Sequence, residues 1–195
     1  ASIIIPKGVE SIGSRAFTGC SSLKEINADL NNQNYSSIDG ILFSKDNTTL
    51  VRCPEGKKNS YEIPDGVTNI GEQAFYNCTN LTSIEIPNSV TSIGEQAFHN
   101  CTGLTSMSIT NGVTQIGGNS FAYCENLVSI GIPKSVTSIG AGAFNQCSSL
   151  TSVYYGGTKE EWNAIDITWF GNDCLKNATV HYKRDIPFTT AKVTT

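Results

Sequence analysis

Apolar side chains recur along this chain in blocks that repeat every 23 residues: Ala74-Phe75…Cys78…Leu81, Ala97-Phe98…Cys101…Leu104, Ser120-Phe121…Cys124…Leu127 and Ala143-Phe144…Cys147…Leu150. A fixed period in this range marks stacked repeat units. Each unit holds too few apolar residues to bury a core alone, so its stability has to come from its neighbours. The pattern therefore predicts a solenoid.

Aligned on their phenylalanines, the units share I-x-I-P-x-(S/G)-V-T-x-I-G-x-x-A-F-x-x-C-x-x-L-x-x, which divides into three pieces. The alternation in Leu81-Thr82-Ser83-Ile84-Glu85-Ile86 predicts a strand with Ile84 and Ile86 on one face and Ser83 and Glu85 on the other. Val90-Thr91-Ser92-Ile93-Gly94 is a second short β-branched segment, entered through a turn at Pro87 and closed by a glycine. In Glu95–Cys101 the apolar residues fall at i, i+1 and i+4, which predicts one turn of helix with a buried side. Ile84, Ile86, Val90, Ile93, Ala97, Phe98, Cys101 and Leu104 are then expected to point inward together. Equivalent residues would form columns with a step of about 4.7–4.9 Å.

The landmarks begin earlier, at Ile3, Ile5-Pro6, Ile12-Gly13, Ala16-Phe17, Cys20 and Leu23, giving a first repeat over residues 1–26. The distance from Phe17 to Phe75 then exceeds one period. The segment 27–62 holds two apolar runs, Asp39–Phe43 and Thr49–Pro54, around the polar turn Ser44–Thr48, and predicts an enlarged repeat with a protruding β-hairpin. Four regular repeats follow over 63–153. After Val153 the register fails. Thr158 and Glu161 have the spacing of a capping box, opening a helix with Trp162 and Ile165 on its apolar side. Ala178–Tyr182 predicts a last strand. Residues 154–183 are read as a C-terminal cap and the threonine-rich 184–195 as a tail.

Composition narrows the function more than it names it. The chain of 195 residues is 38% hydrophobic and only 15% charged, with a formal net charge of −4. Nucleic-acid surfaces need clustered Lys and Arg, and the adjacent basic pairs are Lys57-Lys58 and Lys183-Arg184, so nucleic acid is not expected as a partner. No apolar run approaches the roughly 18 residues of a membrane span. Ala1–Pro6 already reads as the strand of a repeat, without a basic start and apolar signal core, so the chain is expected to be part of a longer protein.

Candidate chemistry is sparse. Cys20, Cys78, Cys101, Cys124 and Cys147 hold the same place in successive units, with no His partner and no C-x-x-C pair, which argues against zinc. They are expected to be buried, reduced thiols acting as small hydrophobes. Cys53 and Cys174 lie outside that series and are the better candidates for reactivity. His99 falls at a position also held by Tyr76, Ala122 and Asn145 and is expected to be exposed. Glu160-Glu161 suit a helix start better than acid–base chemistry. Gly140-Ala141-Gly142 lacks the third glycine of a dinucleotide fingerprint. No cofactor is expected.

The unit L-x-x-I-x-I-P, V-T-x-I-G and A-F-x-x-C resembles the BspA-like class of leucine-rich repeats, found in bacterial surface antigens and some parasitic protists. The likeness covers about residues 3–183, including the Tyr35–Phe43 to Lys57 segment and the Val153–Ile165 ending. It implies a leucine-rich-repeat solenoid, a right-handed superhelix of stacked coils, β-rich with a short helical turn per repeat. It also implies a secreted or surface-anchored protein, adhesion to host proteins or other cells, and no catalytic residues.

For binding, the outward strand positions Glu25 and Asn27, Ser83 and Glu85, Ser106 and Ser108, Ser129 and Gly131, and Ser152 and Tyr154 form a smooth strip poor in aromatic or Arg anchors. The 27–62 segment breaks the repeat and is the stronger candidate. Partner-binding positions are therefore Tyr35, Lys45, Lys57, Lys58, Tyr61, Glu85 and Tyr154. The expected function is a non-enzymatic, monomeric module of a larger bacterial surface protein, recognising host or cell-surface protein or glycan partners. The alternative is a structural spacer that projects another domain. An enzyme reading, a hydrolytic site near Trp162, Trp169 and His181, has no positive support.

Overall fold

A computed structural model describes residues 1–183; the 184–195 tail lies outside the described residues. The first coil opens with strand β1 (Ser2–Ile5), and β2 (Glu25–Ala28) lies parallel beside it, Ser2 opposite Glu25. Next come β3 (Tyr35–Ile38), β4 (Ile41–Ser44) and β5 (Thr49–Arg52), a three-stranded antiparallel run. The regular array follows, each coil giving a longer strand and a two-residue one: β6 (Asn59–Glu62) and β7 (Asn69–Ile70), β8 (Leu81–Glu85) and β9 (Ser92–Ile93), β10 (Ser106–Ser108) and β11 (Gln115–Ile116), β12 (Ser129–Ile132) and β13 (Ser138–Ile139). The chain continues through β14 (Ser152–Tyr155), helix α1 (Lys159–Asn163), β15 (Asp166–Ile167), helix α2 (Asp173–Asn177) and β16 (Thr179–His181).

Two strand ladders run along the solenoid, parallel except at the antiparallel run β5-β4-β3. One joins β10, β12, β14 and β16, preceded by the pair β6–β8. The other is an eight-stranded sheet in the order β15-β13-β11-β9-β7-β5-β4-β3. Between them the core is a set of columns. Phe75, Phe98, Phe121 and Phe144 are fully buried, and their rings stack at 5.0, 5.1 and 5.3 Å within 10° of parallel. That step is close to one strand spacing, so the coils rise by a single ladder rung each. All eight inward residues predicted for the Ile84–Leu104 unit are buried.

The third piece of each unit is not a helical turn. Gln96 (φ 55°) and Asn100 (φ 57°) sit in the left-handed region, as do Gln73, Asn77, Asn119, Tyr123 and Gln146 in neighbouring coils. Every second amide bonds to the next coil: Gln96 N–H to the Gly118 carbonyl (2.9 Å), Phe98 to Ser120 (2.7 Å) and Asn100 to Ala122 (2.8 Å). A helix about 10–12 Å across does not fit a coil rise of about 4.8 Å. The i, i+1, i+4 spacing instead serves a tight winding that buries the same side. In this winding the ladder glycines are needed for clearance: a Cβ on Gly117 would lie 2.7 Å from the Gly94 backbone.

The 27–62 insertion does not protrude. Strand β5 pairs in parallel with β7, Leu50 opposite Ile70, so the antiparallel run completes the second sheet. Both of its faces are apolar. Ile41, Phe43 and Leu50 join the main core, whereas Leu42 belongs to a separate cluster with Ile5, Leu23 and Ile26, against which Phe17, Tyr35 and Val51 also pack. The run is thus a wall with the first coil on one side. The buried ion pair Arg52–Glu55 (3.3 Å) ties these parts together, because the Glu55 carboxylate also accepts from the Gly19 N–H (3.0 Å) and the Asn77 side-chain amide (3.4 Å).

The C-terminal segment is itself a longer coil. β15 pairs with β13 and β16 with β14, so both ladders continue through it. Thr158 and Glu161 form the reciprocal capping box, and Trp162 packs edge-on to Tyr155 at 5.2 Å. Asn172 is fully buried. Its carboxamide oxygen accepts from the Phe144 N–H (2.9 Å), where earlier coils use a backbone carbonyl.

Candidate binding surface

Alternation along the longer strands sets the outward-facing groups in two columns. The first is Ser60, Ser83, Ser106, Ser129, Ser152 and Thr179, nearly uniform in hydroxyls. The second is Glu62, Glu85, Ser108, Gly131, Tyr154 and His181, and it changes character along the molecule from acidic to small to aromatic. Glu85 is exposed and faces Glu62 across the ladder; Tyr154 is half-buried, with its ring stacked on His181 at 4.9 Å and 20°. Beside these strands lie two cavities. The smaller, 280 Å³, includes Ser108, Gly131 and Tyr154 in its lining; the larger, 690 Å³, is bordered by Lys134, Ser135 and Lys183, and both touch Asn111 and Gly156.

The insertion residues do not gather into one site. Tyr61 is buried at 7% exposure, tilted against Phe75 at 6.2 Å, and burial raises its phenol far above the ordinary range. This corrects its place among the partner-binding positions, since its ring belongs to the core. Tyr35 is half-buried against the first-coil cluster. Lys57 is half-buried, donates to the Asp39 carbonyl at 2.7 Å and lies 5.8 Å from the Tyr61 ring centre. Lys45 and Lys58 are exposed, and Lys45 donates to the Leu30 carbonyl (3.2 Å). The strip residues Glu85 and Tyr154 are the ones that share a continuous surface.

His99 is not freely exposed. It is half-buried and sandwiched between Tyr76 (4.7 Å) and Tyr123 (5.1 Å), and burial lowers its pKa. Of the residues considered for hydrolysis, Trp162 is buried, Trp169 is exposed, and His181 is occupied by its stack on Tyr154.

The thiols divide differently from expectation. Cys20 is exposed, because no coil among the described residues covers the outer side of the first one, whereas Cys53 is fully buried and desolvation pushes its thiol well up. Cys101, Cys124 and Cys147 are buried too, and each S–H donates to the phenylalanine carbonyl of the previous coil, at 3.1, 3.1 and 3.0 Å. Burial lifts Cys124 to about 12. Such thiols are inert donors.

Sequence reasoning missed Asn111, Lys134 and the pairing of His181 with Tyr154. The only trace in the sequence was the interruption of the second column by Gly131; the Tyr154–His181 pairing spans a coil of irregular length.

Residues 1–59 and 55–174 match the sequence profile of the BspA type leucine rich repeat region, in six copies. No curated protein matches the chain. Among solved structures it is similar to a leucine-rich repeat protein from Eubacterium ventriosum, with TM-score 0.75 and 28% identity over 80% of this chain and 42% of that one. It is also similar to a leucine rich cell surface protein from Faecalibacterium prausnitzii, with TM-score 0.64 and 35% identity over 85% of this chain and 50% of the other. The pneumococcal vaccine antigen PcpA aligns at TM-score 0.60 and 25% identity, over 95% of this chain and 55% of PcpA. The chain thus spans about half the length of the solved structures it matches. Repeat period, stacked columns and profile agree, and the chain belongs to the BspA-type leucine-rich repeat family.

Proposed function

We propose that the chain is a non-enzymatic binding module of a larger cell-surface protein, with the strand face around β10 to β16 as its adhesive surface for a protein or glycan partner. The carrying observation is the change in the second outward column, from Glu85 through Ser108 and Gly131 to the Tyr154–His181 stack, beside two cavities of 280 and 690 Å³. A flat serine strip offers no anchor, whereas an aromatic ring beside a recess is the kind of feature that concentrates binding energy. The likeness to a cell surface protein and to a vaccine antigen supports the surface location. Modest affinity at one site would be raised by many copies on a cell.

The spacer reading draws on the uniform hydroxyl column. A binding scan of the purified chain against extracellular-matrix proteins and glycans separates the two, with Tyr154→Ala as the control. Deleting the insertion is not a usable control, because its strands form the wall between two cores. Saturable binding that Tyr154→Ala weakens supports the module; no binding to any panel member favours the spacer.

A further inference from the structure

Gly131 lies inside β12, in unbroken register with Ser108 of β10 and Tyr154 of β14. Glycine in a strand interior weakens the strand, and without a bulge it often marks a place where a ligand approaches. Packing does not demand it here. An added Cβ would meet the Ser108 hydroxyl at 3.0 Å and otherwise only ordinary contacts at 3.5 Å. The consequence of the missing side chain is on the outside. His181 stacks on one side of the Tyr154 ring, and the ladder puts Gly131 on the other, so that side of the ring is not covered by a neighbouring rung.

The 280 Å³ cavity occupies that place, with Asn88, Ser108, Thr110 and Asn111 among its lining residues; the Thr110 hydroxyl already donates to the Pro87 carbonyl at 3.1 Å. An uncovered aromatic face ringed by amides and hydroxyls matches a sugar ring, which is apolar across its C–H face and studded with hydroxyls at its edge. A peptide adding as a strand would need a free sheet edge, and β12 is paired on both sides. The adjoining 690 Å³ cavity carries Lys134 and Lys183, and its Glu161 carboxylate is already engaged by the Thr158 N–H at 2.8 Å. We propose that this groove is a glycan subsite: a pyranose ring stacks on Tyr154 over Gly131, and the next residue, bearing a carboxylate or sulfate, lies between Lys134 and Lys183. This rests on the reading of the strand face as the binding face.

Calorimetric titration of the whole chain with a hyaluronan tetrasaccharide, a heparin-derived tetrasaccharide and neutral chitotetraose tests it. Saturable binding of at least one acidic oligosaccharide, tighter than chitotetraose, is expected. Gly131→Val, which covers the ring without removing it, should weaken binding at least tenfold while the melting profile stays close to the parent. Tyr154→Phe should retain binding and Tyr154→Ala should lose it. Lys134→Gln with Lys183→Gln should abolish the preference for acid. The subsite is overturned if none of the three sugars binds, or if Gly131→Val and Tyr154→Ala bind as the parent does. Matrix proteins that bind the parent but not Tyr154→Ala, with no sugar bound, would leave the binding-module reading intact and remove the glycan one; silence from both classes removes both.

Discussion

Phe98 shows how one residue type serves two needs. Its ring fills the column between Phe75 and Phe121, and its carbonyl accepts the thiol of Cys124 at 3.1 Å. Cys101, Cys124 and Cys147 are therefore more than small hydrophobes, since each also donates to a buried carbonyl. Phe98→Ala should cost about 3–5 kcal/mol in denaturant unfolding, as expected for a large side chain removed from a packed interior. Alkylation of the native protein should label Cys20 first and half-buried Cys174 more slowly. The five buried thiols should react only after unfolding; early modification of Cys53 would contradict the structure. His99 contributes a pH dependence. Desolvation lowers its native pKa below the ordinary 6.5, so the unfolded chain takes up the proton first and stability falls as pH drops through about 6.5 toward the native value. His99→Gln should flatten the melting temperature between about pH 7 and 5, a window above the carboxylate range.

At the scale of elements, the antiparallel wall makes neighbouring residues report on different parts of the molecule. Leu42 faces the first-coil cluster and Phe43 the main core. Leu42→Ala should speed amide exchange in residues 1–26 and leave the main unfolding transition nearly in place, while Phe43→Ala should lower that transition directly. Equal effects of the two would mean that the wall does not divide the core. At the other end, the Asn172 side chain of the last described coil takes the place that a backbone carbonyl holds in earlier coils, accepting from the Phe144 N–H and donating to the Gly140 (2.9 Å) and Thr168 (2.6 Å) carbonyls. Asn172→Ala leaves the Phe144 amide buried without a partner, which should cost about 1–3 kcal/mol by thermal or denaturant melting.

Taken whole, the molecule has one long core and one short one. The short core holds Ile5, Leu23, Ile26 and Leu42, and Ile3 and Ile4 beside it are 41% and 64% exposed. A cavity of 340 Å³ is lined by Ile12 and Phe17 of the first coil and by Val51 and Arg52 of the wall. Such a region opens at lower free energy than a continuous core. The proposed adhesive face lies on the strands of the later coils, along the well-packed core. Its geometry is therefore fixed before a partner arrives, which limits the entropy lost on binding.

The period, the inward columns and the family resemblance could be read from the residues alone, because a 23-residue repeat of apolar residues has few ways to bury itself other than by stacking on its own copies. The sequence also carried the Thr158–Glu161 cap, a local arrangement of adjacent residues. Other features arise from contacts between distant segments. The left-handed winding at Gln96 and Asn100 depends on hydrogen bonds to the next coil, which leave no trace in local apolar spacing. The burial of Tyr61, by contrast, keeps the period, since it stands opposite the inward Ile84; the wall follows from β5 pairing with β7, Leu50 opposite Ile70, a separation that departs from the period. The meeting of Tyr154 with His181 depends on the same kind of long-range register, and with it the candidate site.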